Sequence, residues 1–150
     1  MAEKAQDLQP DQLAAAILEA RPLLRKKLAR ALFCPPAEGE KALSETIKFL
    51  ILAAANTQGQ LTPAARVDLV WHEFILFTRT YLEFCEAYLG KVIHHEPNSD
   101  HEVNSQQYSL TLARYRKRFG EPPADYWGGA NVSSTQAKVS ASCGTCEASV

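Results

Sequence analysis

The chain has 150 residues, of which 46% are hydrophobic, so one domain can bury a core without disulfide bonds. Its formal net charge of −1 gives no electrostatic footprint for nucleic acid or an anionic membrane surface. The N-terminal stretch is polar, and no apolar run is long enough to span a bilayer, so we expect a cytoplasmic protein.

Three amphipathic helices are predicted in the first half of the chain. The first runs from a capping Asp11 to Ala20, and the second restarts at Pro22 and stops before Pro35. The third ends in the turn-forming residues 56–59. Its apolar stripe has helical spacing and consists of Ala42, Leu43, Ile47, Leu50, Ile51 and Ala54.

The longest helix is predicted from Pro63 to Leu89. Thr62 is a suitable N-cap, Pro63 suits the first helical position, and Gly90 is the usual residue just past a helix end. The apolar residues in between step by three and four: Val67, Val70, Phe74, Phe77, Tyr81, Phe84 and Tyr88. We expect this unbroken helix to be the centre of the core.

A last helix is predicted from Asn104 to Phe119, before Gly120, and no segment alternates like a strand. Asp125-Tyr126-Trp127 is expected to be the last docked segment, because its two aromatic side chains carry much apolar area. The expected fold is therefore all-α, an antiparallel array of about five helices around the long central one, in a domain of residues 1–127. Residues 128–150 contain no large apolar anchor and are predicted to be a disordered tail.

A distinctive run of residues lies in the centre of the chain. It reads VDLVWHEFILFT from Val67 to Thr78 and is followed by Tyr81, Phe84-Cys85, Gly90 and Ile93-His94-His95-Glu96-Pro97. In these residues the chain resembles the short bacterial relatives of the plant glycine-rich-domain proteins, whose shared domain is mainly of unknown function. The plant pattern has a further His two residues after its Trp-His pair, where this chain has Phe74. The resemblance implies a helical domain, brings no established reaction, and gives weight to Asp68, Trp71, His72, Cys85, His94 and His95.

Asp68 and His72 are four residues apart on the predicted long helix. The carboxylate can accept a hydrogen bond from the imidazole and fix its tautomer. Such a pair could be part of a general base or of a metal site. The alternative is a solvated, salt-bridged strip, which these two residues would share with Arg79, Glu83 and Glu86. Trp71 is expected to be a core anchor rather than a binding platform.

A second group of ligating residues is predicted in the loop after Gly90. His94, His95 and His101 lie there with the acidic residues Glu96, Asp100 and Glu102. Neutral imidazoles and carboxylates suit zinc or another divalent ion, although the spacing matches no well-marked metal motif. Adjacent histidines point in different directions, so only one of the pair His94-His95 would ligate, and a solvated or helix-capping role is the alternative.

A continuous central helix would keep these two groups apart. A rise of about 1.5 Å per residue separates His72 from Gly90 by about 27 Å, and four extended residues return at most about 14 Å. His72 and His94 are therefore predicted not to share a mononuclear site.

Two intrachain groupings satisfy this distance limit. In the first, Cys85 approaches His94 or His95. In the second, Asp68 pairs with His72, and the chain is long enough for His101 to turn back toward His72. Cys85 lies on the apolar side of its helix, so a small buried thiol is the alternative interpretation.

Cys143 and Cys146 have the two-residue spacing of a redox or soft-metal pair. They lie in the predicted tail rather than at the start of a helix in a strand-helix-strand unit, which disfavours a thioredoxin-like enzyme. A metal-capturing tail, a substrate of a tail-modifying enzyme and an inert tail remain open.

Three functions follow from these residues. The first is a metal-binding accessory domain that uses the histidine loop, with the tail thiols as a second site. The second is a helical interaction module whose groove near Trp71 and Trp127 receives a protein partner. The third is an enzyme with Asp68 and His72 as its base, which is disfavoured because no nucleophile or oxyanion-binding loop accompanies the pair.

Overall fold

The computed structural model describes residues 9–97 and 99–128. Every regular element in these residues is helical, so the predicted all-α fold is confirmed. The predicted tail, from residue 129 onward, lies outside the described residues. None of the helices in the described ranges combines the length and the apolar character needed to cross a membrane.

Seven α-helices and two short irregular helices make up the described part of the chain. They are α1 (Pro10–Ala20), α2 (Pro22–Leu32), a 3₁₀ turn (Pro36–Glu38), α3 (Gly39–Ala55), α4 (Ala65–Leu76), α5 (Thr78–Phe84), a π-helical turn (Cys85–Leu89), α6 (His101–Phe119) and α7 (Ala124–Trp127). Gly90 ends the π-helical turn with φ 73°, a left-handed conformation that favours glycine.

Three helix starts differ from the prediction. The N-cap of α1 is Gln9 rather than Asp11, whose carboxylate instead accepts a hydrogen bond from Ser44. The start of α4 is Ala65, because the hydroxyl of Thr62 donates to Gln107 on α6 instead of capping the helix. The start of α6 is three residues earlier than predicted, because Asp100 accepts the backbone N–H groups of the first turn.

The centre of the core is α3, not the predicted long helix. This helix packs against α1, α2, α4 and α6. Along its first half the polar Ser44, Glu45 and Thr46 are buried together with the apolar stripe. A helix buried around its circumference lies inside a domain, whereas α4 and α5 retain exposed positions on one side.

The predicted continuous helix from Pro63 to Leu89 is wrong, because it breaks at Phe77. This residue has φ −87° and ψ 65°, outside the helical region, between the end of α4 and the start of α5. The break allows the hydroxyl of Tyr81 to accept a hydrogen bond from Trp71 Nε1 at 3.0 Å. In a straight helix those two residues would be separated by a rise of about 15 Å.

A buried carboxylate connects α3 to the C-terminal end of the domain. Glu45 accepts hydrogen bonds from Lys48 at 2.9 Å, from the Tyr115 hydroxyl at 2.7 Å and from Trp127 Nε1 at 2.9 Å. The Tyr108 hydroxyl donates to the backbone oxygen of Trp127. The predicted docking of Tyr126 and Trp127 is therefore confirmed, since both are buried.

Candidate metal centre

Three side chains from two separate segments converge on one side of α4. Asp68 and His72 lie one turn apart on α4, and His95 comes from the loop between Gly90 and α6. His95 Nε2 is 2.6 Å from Asp68 Oδ1 and 2.8 Å from His72 Nε2, and His72 Nε2 is 3.5 Å from Asp68 Oδ2. One donor atom from each residue lies within 4.8 Å of the other two.

The Asp68 carboxylate is buried, at 2% exposure, so the solvated-strip interpretation is wrong for this residue. The side chain of His95 is also largely buried, at 9% exposure, while that of His72 is 40% exposed. A buried carboxylate requires strong partners, and two imidazoles supply them. The exposed edge of His72 leaves the cluster open to solvent on one side.

A chain of contacts through Tyr81 holds His95 in place. The Tyr81 hydroxyl donates to the backbone oxygen of Ile93 at 2.5 Å and accepts from Trp71 Nε1. The ring of Trp71 lies against the imidazole of His95, with 4.2 Å between the ring centroids. The Tyr81 hydrogen bond therefore fixes the loop at Ile93, two residues before His95, and the Trp71 ring packs against the His95 imidazole.

Two imidazole nitrogens and one carboxylate oxygen are a donor set that suits a divalent cation. The two contacts of His95 Nε2, at 2.6 and 2.8 Å, are hydrogen-bond distances. Adjacent donors in a tetrahedral zinc site are about 3.4 Å apart, so binding of an ion would lengthen these two contacts by about 0.6–0.8 Å.

Burial lowers the pKa of His72 from its ordinary value of 6.5, although Asp68 and Glu73 oppose that change and His95 adds to it. A lowered pKa keeps the imidazole neutral near pH 7. The neutral form is the one that binds a metal ion.

The other predicted ligands do not join the cluster. His94 and His101 are exposed, and His101 is the first residue of α6. Cys85 is fully buried beside Tyr81, and burial raises the pKa of its thiol, which disfavours the thiolate that binds metals. Cys143 and Cys146 lie outside the described residues.

The two predicted histidine groups are not kept apart, because the helix between them is not straight. His94 itself does not join His72. Since α4 and α5 are separate helices, the chain after Gly90 returns to α4, and His95 meets His72. The pairing of Asp68 with His72 is present, whereas the proposed pairings of Cys85 with a histidine and of His101 with His72 are not among the described contacts.

Two cavities have the segment from Val92 to Glu96 as a shared wall. One, of about 330 Å³, lies between that segment, the end of α3 and the connection to α4. The other, of about 350 Å³, lies between that segment and the side chains around Tyr81. His95 lines both, so the candidate metal ligand lies between two spaces large enough for small molecules.

The fold and the cluster define an all-α domain with a candidate metal centre. The chain belongs to the UCP032817-like family, an uncharacterised family whose sequence model matches residues 19–117. The matched range contains Asp68, His72 and His95. No curated protein and no solved structure matches the chain.

Proposed function

We propose that this domain binds one divalent metal ion through Asp68, His72 and His95. The observation that carries the proposal is the convergence of three donor atoms, from residues up to 27 positions apart, within 4.8 Å. Two imidazoles with one carboxylate bind zinc, and the same set binds iron(II) in its three-ligand sites. Three protein ligands leave at least one coordination position for water or another ligand.

The structure also supports the proposal through the placement of its donors. Asp68 and His72 are fixed on a helix, and His95 is fastened by the Tyr81 contacts, so little chain order has to be gained when an ion binds. The ions expected are zinc or iron(II), and the tail thiols remain a separate candidate site. A cytoplasmic location and kinship with the glycine-rich-domain proteins also stay predictions.

Elemental analysis of untagged protein tests the proposal. We expect about one zinc or iron per chain, lost in His95→Ala, His72→Ala and Asp68→Asn. The matched control is His94→Ala, since His94 is the exposed neighbour of His95 and contributes no donor to the cluster. Circular dichroism of each variant separates loss of metal from loss of the fold.

Two results would contradict this function. One is wild-type protein that remains metal-free after dialysis against zinc and after anaerobic dialysis against iron(II). The other is an equal loss of metal from the His94 and His95 variants, because only the second imidazole belongs to the cluster.

A further inference from the structure

The outer face of α2 is positively charged. The ionisable residues of this helix are all cations: Arg25, Lys26, Lys27 and Arg30. Arg25 is paired with Glu40, whereas the other three are exposed and form no ion pair with any residue in the described ranges. Although the whole chain has a formal net charge of −1, this helix therefore presents a group of unneutralised positive charges at the surface.

An apolar segment follows these charges directly. Residues 33–37 read Phe-Cys-Pro-Pro-Ala and contain no charged side chain. All of them except the half-buried Cys34 are exposed, and Phe33, at 97%, is the most exposed large hydrophobic residue in the described part of the chain. Contiguous exposed apolar residues bordered by charged ones are typical of an interaction surface.

The backbone of the apolar segment has its donors paired at the helix end. Phe33 has φ 52° and ψ 48° and is the one non-glycine residue with a positive φ in the described ranges. In this left-handed cap, Cys34 donates its backbone N–H to Ala29 and Phe33 donates its own to Arg30. The two prolines that follow have no N–H. Residues 33–36 therefore present no unpaired backbone donor, which is what contact with lipid requires.

These features favour a lipid surface over a folded protein as the partner. Glycine would form the same left-handed cap without steric cost, so the cap does not account for the phenyl group of Phe33. A folded partner would need a pocket matched to this protruding ring, whereas a bilayer interface accepts it without one. Anionic headgroups also attract unpaired cations, and each Lys or Arg near such a surface contributes about fivefold in affinity.

We propose that the outer face of α2 and the apolar segment 33–37 bind the surface of an anionic lipid bilayer. The ring of Phe33 enters the boundary between headgroups and acyl chains, and Lys26, Lys27 and Arg30 lie next to the lipid phosphates. The opposite side of α2 stays attached to the domain, since Leu24 and Leu28 are fully buried. The surface contains none of the proposed metal ligands, so it does not depend on the metal centre.

Sedimentation with vesicles tests the proposal. Full-length protein is mixed with vesicles of phosphatidylcholine alone, or of phosphatidylcholine and phosphatidylglycerol in equal parts, with EDTA present so that divalent ions cannot bridge protein and lipid. We expect binding to the anionic vesicles, weakened by added salt, and none to phosphatidylcholine alone.

Phe33→Gly separates binding from folding. It should weaken binding to the anionic vesicles by about tenfold, because the buried ring is lost. It should also raise the resistance to urea, because glycine is favoured at φ 52°. Phe33→Trp reports insertion directly: the native Trp71 and Trp127 are buried, so the new indole should dominate a shift of the emission to shorter wavelength on anionic vesicles.

A pair of double variants isolates the charges of α2. Lys26→Gln with Lys27→Gln should weaken binding by about 25-fold, as two cations near the surface allow. The matched control is Lys117→Gln with Arg118→Gln, which removes the same formal charge from exposed positions of α6 and should change binding much less.

Four results would overturn the proposal. They are absence of binding to the anionic vesicles, undiminished binding by Phe33→Gly, equal weakening by the two double variants, and an emission of Phe33→Trp that does not shift. Binding to polyglutamate without binding to vesicles would be a case of the first and would identify an acidic protein segment as the partner instead.

Discussion

The contact chain that fastens His95 is tested most directly by Tyr81→Phe. This change removes one hydroxyl and keeps the ring that packs on Phe74 at 5.2 Å. It takes a donor from the backbone oxygen of Ile93 and an acceptor from Trp71 Nε1. Burial raises the pKa of Tyr81, so its hydroxyl is protonated and donates at any ordinary pH.

The size of the effect follows from what is left without a partner. Trp71 is 5% exposed, so its indole N–H cannot easily find water, and such a group costs about 1–3 kcal/mol. Ile93 is only half-buried, so water reaches its oxygen more readily. We therefore expect the free energy of unfolding to fall by about 2 kcal/mol.

The same change should weaken metal binding. Partners that orient a metal ligand typically contribute a factor of about 10–100 in affinity, and Tyr81 orients the loop that carries His95. Metal affinity is measured by competition with a chromophoric chelator, and stability by urea denaturation of the metal-free protein. The matched control is Tyr88→Phe, which removes a hydroxyl from a half-buried ring that packs on Phe84.

A selective result is needed to support this reasoning. If Tyr81→Phe and Tyr88→Phe reduce metal affinity by the same factor, Tyr81 has no particular role in placing His95. If Tyr81→Phe lowers stability but leaves the affinity unchanged, the hydroxyl belongs to the core alone.

Three further predictions concern the rest of the domain. Glu45→Ala should lower the free energy of unfolding by about 3–5 kcal/mol, because it leaves the buried donors of Tyr115 and Trp127 without an acceptor, and urea denaturation measures the loss. Since burial lowers the pKa of His72, the unfolded state takes up more protons, so the stability of the metal-free protein should fall as pH decreases through 6.5. His72→Asn should reduce that slope in denaturation curves recorded from about pH 7.5 to about pH 5.5, and an unchanged slope would contradict the assignment. Deletion of residues 129–150 should leave about one ion per chain by elemental analysis if the cluster alone binds metal, and a fall from two ions to one would identify the tail thiols as a second site.

Most helices could be predicted because their signals are local. Pro22 starts α2, Gly90 and Gly120 follow helix ends, and the stripe of α3 repeats at helical spacing. The break at Phe77 has no such signal, since neither proline nor glycine lies there. It is imposed by packing between residues distant along the chain, of which the contact of Trp71 with Tyr81 is one.

The sequence allowed the ligand residues to be predicted, but not their arrangement in space. Asp68, His72 and His95 were all recognised as candidate ligands from their side-chain chemistry, and the pairing of the first two follows from helical spacing. The contact of His95 with that pair depends on the break at Phe77, which a straight helix would not allow.

The link between Glu45 and Trp127 has a consequence for how the domain is made. The two residues are 82 positions apart, so a ribosome working at about 5–20 residues per second adds Trp127 roughly 4–16 s after Glu45. During that interval the nascent chain contains α3, with its apolar stripe and its carboxylate, but not the indole that completes its surroundings. The buried carboxylate of Glu45 therefore has its full set of donors only after the last helical turn has been synthesised.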